Sequence, residues 1–155
     1  MINVHYNLKR HIELLKQEKK IRNKNKDFFK ENPKEALELS SYDAEVDNHI
    51  VWENRFEIAS VMENFLSKKI DAHEFHDSVF GLRRKHLERC DRFLLKLALE
   101  EIKDFYPNKN SHKLQGFLSV LYFECEYFET NFDEAELYTS IEDKFSKFQK
   151  VLNEE

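Results

Sequence analysis

Glycine and proline are nearly absent from this chain: it has two of each in 155 residues. Average usage would supply roughly eighteen or nineteen of the two together. Tight hairpins need residues that tolerate positive φ, and no Asn-Gly or Asp-Gly pair occurs, so folds built from strands and turns are disfavoured. Gly81 and Gly116 stand alone. Neither a Walker loop nor a dinucleotide-binding turn can be made from them, since both need several glycines at fixed spacing. Cysteine is scarce too. Cys90 and Cys125 form no C-x-x-C pair, and with no signal peptide in evidence two reduced, buried thiols are expected. The longest uncharged run, Leu114 to Phe123, is about half of the ~20 residues a bilayer span requires. A soluble, cytoplasmic, helical protein of one domain's length is the expectation.

Charge is plentiful and unevenly placed. Residues 1–30 hold nine Lys or Arg against three Asp or Glu, so the net −5 divides into +6 there and −11 over the rest. The last 39 residues carry ten carboxylates against Lys144, Lys147 and Lys150. Such asymmetry suggests separable roles. An acidic surface speeds encounter with a basic partner and repels nucleic acid. The basic stretch Lys16–Lys30 could give a weak, nonspecific phosphate footprint, but it carries no base-reading signature.

Apolar periodicity fills in the helices. Val4, Leu8, Ile12 and Leu15 share one face of an N-terminal helix, with Phe28 and Phe29 as further candidates. Pro33 at a first turn opens a short helix expected to end at Ser40-Ser41. A stronger helix is expected from about Asp47 to Leu66, with Trp52 as a core anchor. Asp71 and Glu74 form a capping box that starts a helix near Ala72. That helix is expected to reach towards Phe105, with a bend near Gly81 and the polar run to His86, after which Leu87, Leu94 and Leu97 resume the apolar face. Pro107 and the Asn108-Lys109-Asn110 loop follow, and Ser111 is a candidate cap for the next helix, about 112–128.

In that helix Leu114, Phe117, Leu118, Leu121, Cys125 and Phe128 form a core stripe, while Val120, Phe123 and Tyr127 point almost oppositely. Two apolar faces mean burial between layers or burial against a partner; the N-terminal extension is the expected cover. A final helix, Ile141–Leu152, starts at Thr139-Ser140 and closes the bundle.

The segment Phe65-Leu-Ser-Lys-Lys-Ile70, the capping box and the following helix to Leu87, then the stretch Phe123-Glu-Cys-Glu-Tyr-Phe-Glu129 before a loop and last helix, together resemble the colicin D immunity protein family over about residues 50–153. Members of that family are small acidic helical proteins that block a tRNA-cleaving toxin. The resemblance implies a noncatalytic inhibitor whose carboxylates stand in for substrate phosphates in a basic cleft. It places the partner surface at Glu124, Glu126, Tyr127, Glu129, Asp133, Glu134, Glu136 and Tyr138. Exposed carboxylates of this kind are expected to be replaceable at little cost in stability.

Enzyme chemistry finds less footing. His73 and His76 are three apart rather than four, as a zinc-protease helix requires, and no third ligand is evident. Glu126 and Glu129 with Asp133 and Glu134 match a magnesium-dependent nucleotide hydrolase weakly, since a second regular acidic pair is missing. No cofactor or metal is expected. The architecture expected is all-α, an antiparallel bundle of about four main helices, residues 46–155, with a basic N-terminal helical extension, residues 1–45. The function expected is that of a non-enzyme, an immunity protein binding a basic nuclease toxin domain without membrane involvement. The alternatives are a helical adaptor using its aromatic patch and a carboxylate-metal hydrolase.

Overall fold

The computed structural model describes residues 5–154; Val4 lies outside them. The chain is all-α, 79% helical, with no strand among the described residues. Its helices are α1 (Leu8–Asn23), α2 (Phe28–Glu31), α3 (Pro33–Glu53), α4 (Arg55–Leu66), α5 (Ala72–Ala98), α6 (Phe117–Asn131) and α7 (Glu134–Leu152), with a 3₁₀ turn at Ser111–Leu114 before α6. None of them is long and apolar enough to cross a membrane.

The joints explain how a chain so poor in glycine turns its corners. Helices α1, α4 and α5 all end with the next residue but one in the left-handed region: Asn25 at φ 57°, Lys68 at 61° and Glu100 at 57°. At each, two backbone N–H groups reach back into the last turn. Lys68 donates to the Phe65 carbonyl and Lys69 to that of Asn64; Glu100 donates to Leu97 and Glu101 to Lys96; Asn25 and Lys26 repeat the pattern on Arg22 and Ile21. This is the Schellman closure, usually built on glycine. Here side-chain-bearing residues fill the place, at about 1–2 kcal/mol of local strain for a residue other than Gly or Asn.

Several expected boundaries move as a result. Helix α5 stops at Ala98 rather than near Phe105 because Glu100 takes the left-handed turn, and residues 101–108 run on without helix. There is no break at Gly81. Helix α5 runs through it unbroken, and a Cβ built there would meet only the tip of Arg84, at 3.8 Å. His86, not Leu87, continues the inward face: His86 is buried and Leu87 is 51% exposed. Ser40-Ser41 does not end α3, since Ser41 Oγ bonds the Leu37 carbonyl within the helix. The expected Asp47–Leu66 helix instead breaks at Asn54, whose Nδ2 donates to the Ile50 carbonyl at 2.8 Å. Ser111 caps no α-helix. It begins the 3₁₀ turn, and left-handed Gly116 (φ 73°) starts α6 at Phe117. Helix α7 begins at Glu134, capped by Asp133, six residues ahead of Ser140. Thr139 instead bonds its own helix at the Ala135 carbonyl. The Asp71–Glu74 capping box forms as expected, with bonds of 2.8 and 3.0 Å.

The packing has two centres. The first joins Val51 and Trp52 at the end of α3, Ile58, Met62 and Phe65 of α4, Phe75, Val79 and Leu82 of α5, Leu118, Leu121, Cys125 and Phe128 of α6, and Leu137, Ile141 and Phe148 of α7. The second joins Tyr6, Leu14 and Leu15, Phe28, the first half of α3 (Ala36 to Val46), and Cys90 and Leu97 of α5, with Ile102 and Phe105 packed against it. Helices α3 and α5, about 30 and 40 Å long at 1.5 Å per residue, serve both. Arg55 seals the first: its guanidinium lies 4.2 Å from the Trp52 ring centre, Nε donates to the Leu152 carbonyl at 2.7 Å, and Nη1 to the Trp52 carbonyl at 3.0 Å. One arginine thus satisfies helix-end carbonyls of α3 and α7. In the second core buried His11 is held from both sides, by the Tyr6 hydroxyl at 2.9 Å and Asp43 at 2.8 Å.

Candidate partner-binding site

The eight residues singled out on α6 and α7 divide into two groups. Five hold the molecule together. Glu124 pairs with Lys144 of α7 at 3.2 Å. Glu129 bonds His76 of α5, which also contacts Asp77 at 3.0 Å. Asp133 accepts the Glu136 N–H at 3.0 Å as the cap of α7. Glu134 accepts the Ala72 N–H at 3.3 Å, so a side chain of α7 helps to cap α5. Tyr138, half-buried, donates to the Leu66 carbonyl at 2.8 Å, closing the end of α4. The expectation that these carboxylates can be exchanged freely therefore fails for Asp133 and Glu134, because each satisfies an amide that its helix leaves orphaned.

Glu126, Tyr127 and Glu136 are exposed, and their side chains have no hydrogen-bond or ion-pair partner among the described residues. Nor do the acids form one sheet of charge. Glu124 and Glu129 are about 140° apart around α6 at 100° per residue, on opposite flanks of the helix.

What α6 does present outward is apolar. Leu118, Leu121, Cys125 and Phe128 face the core, whereas Val120, Phe123 and Tyr127 are 43, 63 and 44% exposed. The N-terminal segment does not cover them, contrary to expectation, because it packs on the far half of α5. Ser119, Glu126 and Thr130 complete this face and are likewise exposed.

The remaining titratable groups follow their surroundings. Burial lowers the His76 pKa, but bonds to Asp77 and Glu129 outweigh that and raise it overall. Burial pushes the thiols of Cys90 and Cys125 up to about 12, which leaves them protonated and unreactive at neutral pH. Among the described residues no group of three or more His, Cys, Asp or Glu side chains converges in a way suited to a metal ion.

No family model, curated protein or solved structure matches this chain.

Proposed function

We propose that this chain is a noncatalytic binding protein that docks a basic partner protein on the outward face of α6. The observation that supports this is the stripe Val120, Phe123 and Tyr127, three large apolar side chains exposed on one face of a helix whose other face is already in the core. Aromatic residues are favoured at the centres of protein interfaces because they bury much area with little loss of rotamer freedom. Glu126 within the stripe and the net negative charge of the region set the sign of the partner.

The narrower form makes that partner a tRNase-type toxin domain and this chain its immunity protein. It rests on the family resemblance and on the acidic second half of the chain. The adaptor form differs only in the partner, and the exposed aromatics favour it equally. A carboxylate-metal hydrolase would require a converging acid cluster, and MgCl₂-dependent nucleotide turnover is its test.

The experiment pairs the chain with a basic nuclease domain encoded beside it and reads binding by calorimetry and protection by tRNA cleavage, at low and high salt. Phe123→Asp with Tyr127→Asp should abolish binding. Glu126→Lys with Glu136→Lys should slow association by about tenfold or more at low salt, with the difference shrinking as salt is raised. Undiminished inhibition by the first double variant would overturn docking on α6.

A further inference from the structure

The positive charge of the N-terminal thirty residues is only partly neutralised within the fold. Arg10, Lys16 and Arg22 are in ion pairs, with Glu38, Glu100 and Glu18. Lys9 and Lys20 are exposed and in none among the described residues. Their placement on α1 is regular. At 100° per residue His11, Leu14 and Leu15 mark the buried side, and Lys9, Lys16 and Lys20 fall within about 40° of one another on the opposite side. The row they form is about 17 Å long at 1.5 Å per residue.

Beside this row runs the non-helical segment that follows α5. Between the two lies a groove of about 490 Å³, with Lys9 and Lys16 on one wall, Lys103 on the other, and half-buried Ile12 and Ile102 between them. The acids that reach it are already engaged: Glu13 pairs with Arg10 at 3.5 Å and Glu100 with Lys16 at 3.1 Å. Lys103 is exposed and, like Lys9, in no ion pair among the described residues. The acidic part of the chain does not cancel this field locally, because screening limits the reach of exposed charges to about 8–10 Å at ordinary salt. Helices α6 and α7, where carboxylates concentrate, pack in the other core.

What the face lacks selects its partner. No large apolar side chain of α1 is exposed. There is thus no aromatic anchor of the kind that centres a protein interface, where lysine is depleted. There is no apolar group to enter a bilayer, and no ring on which the bases of a single strand would stack. Lysine is a compact point charge without arginine's planar fork, suited to phosphate oxygens rather than to reading base edges.

We propose that the lysine face of α1, together with Lys103, docks the phosphodiester backbone of duplex nucleic acid without regard to sequence. The groove receives a stretch of one strand between Lys9 and Lys16 on one side and Lys103 on the other, and Lys20 extends the contact along the helix. This surface is separate from the outward stripe of α6 and does not rest on the function proposed above.

The test is fluorescence anisotropy of a labelled duplex of about 20 base pairs, titrated with the full chain at about 20 to 200 mM KCl. The logarithm of affinity should fall with that of salt at a slope of about −3, for counterions released from three or four phosphates. A duplex of unrelated sequence should bind within about twofold. Lys9→Gln with Lys20→Gln and Lys103→Gln should weaken binding at least about tenfold at low salt and flatten the slope by about one per lysine. A charge-matched control, Lys69→Gln with Lys85→Gln and Lys150→Gln, alters lysines exposed elsewhere and should change affinity less than about threefold. Circular dichroism should be unchanged in both. Absence of binding at the lowest salt, an equal loss in the control, or tighter binding of an oligothymidine single strand than of the duplex overturns the proposal. So does binding to anionic lipid vesicles that is as tight as to the duplex and is lost in the same variant, which would make the face a membrane contact.

Discussion

The two cores are assembled in different ways. The first gathers α4, the leading half of α5, α6 and α7 about the end of α3. Each of these elements announces itself locally: an apolar stripe on α6, a capping box on α5, a hydrophobic repeat on α7. The second brings Leu14 and Leu15 of α1 and the leading half of α3 against Cys90 and Leu97 at the far end of α5. No local pattern declares that meeting. A basic N-terminal segment can be read as an appendage from its charge alone, yet it supplies one side of a core whose other side lies some eighty residues away. Charge reports what faces water; it says little about where the opposite face goes.

The largest expected effects probe whether the two cores melt as one. Trp52→Ala in the first should cost about 3–5 kcal/mol and Leu14→Ala in the second about 2–5. Because α3 and α5 run through both, each variant should lower a single calorimetric transition. A separate early transition in Leu14→Ala alone would show that the second core unfolds by itself. Arg55→Ala comes next. It strands two helix-end carbonyls and removes the stack on Trp52, and denaturant titration should show a loss of about 2–3 kcal/mol.

Three histidines give the fold a pH signature. Burial is the main cause of the lowered His86 pKa, with Arg89 and Lys85 adding to it and Glu57 opposing; burial also lowers that of His49. A histidine whose folded pKa lies below its unfolded value takes up its proton first in the unfolded chain. These two residues therefore draw stability down as pH falls through about 6.5. His76, raised, acts in the opposite sense, and its contribution is lost as pH rises through its folded pKa. His86→Leu should leave stability at pH 7.5 equal or higher, since it removes an orphaned polar ring, and should flatten the decline between pH 6.5 and 5 as read by thermal melts. An unchanged slope would exclude His86 as its source.

The smallest effects sharpen the reading of the joints and of α5. Gly81→Ala has room for its Cβ and should add about 0.5–1 kcal/mol of helix stability. Glu100→Gly should relieve left-handed strain of about 1–2 kcal/mol but make the unfolded chain more flexible, for a net gain of about 0.5 kcal/mol.

What could be read in advance follows from the range of each signal. The all-helical class, the Asp71–Glu74 start and the inward stripe of α6 depend on neighbours within one or two turns. The two-sided pattern of α6 was legible too, but not which side would stay uncovered. The joints were missed because Lys68, Glu100 and Phe132 in left-handed backbone leave no compositional mark where glycine would. The start of α7 was misplaced because Asp, Thr and Ser cap helices by the same chemistry, and only packing chose Asp133. The internal work of Glu134 on the Ala72 amide needs two elements brought together in space. His86 did leave a trace. It sits four residues from Leu82 and four from Cys90, a polar side chain in an apolar row.

A left-handed helix end is usually closed by glycine, which is chemically blank. Here the corners carry functional groups at fixed addresses. Lys68 places a cation beside the groove between the α4–α5 joint and α7; Glu100 holds Lys16 of α1 at 3.1 Å; Phe132 (φ 52°), 68% exposed, sets a ring against Phe128 at the far end of α6. A substitution at such a site changes a surface group and a backbone preference at once, so the surface chemistry and the turn between two helices cannot be altered independently there.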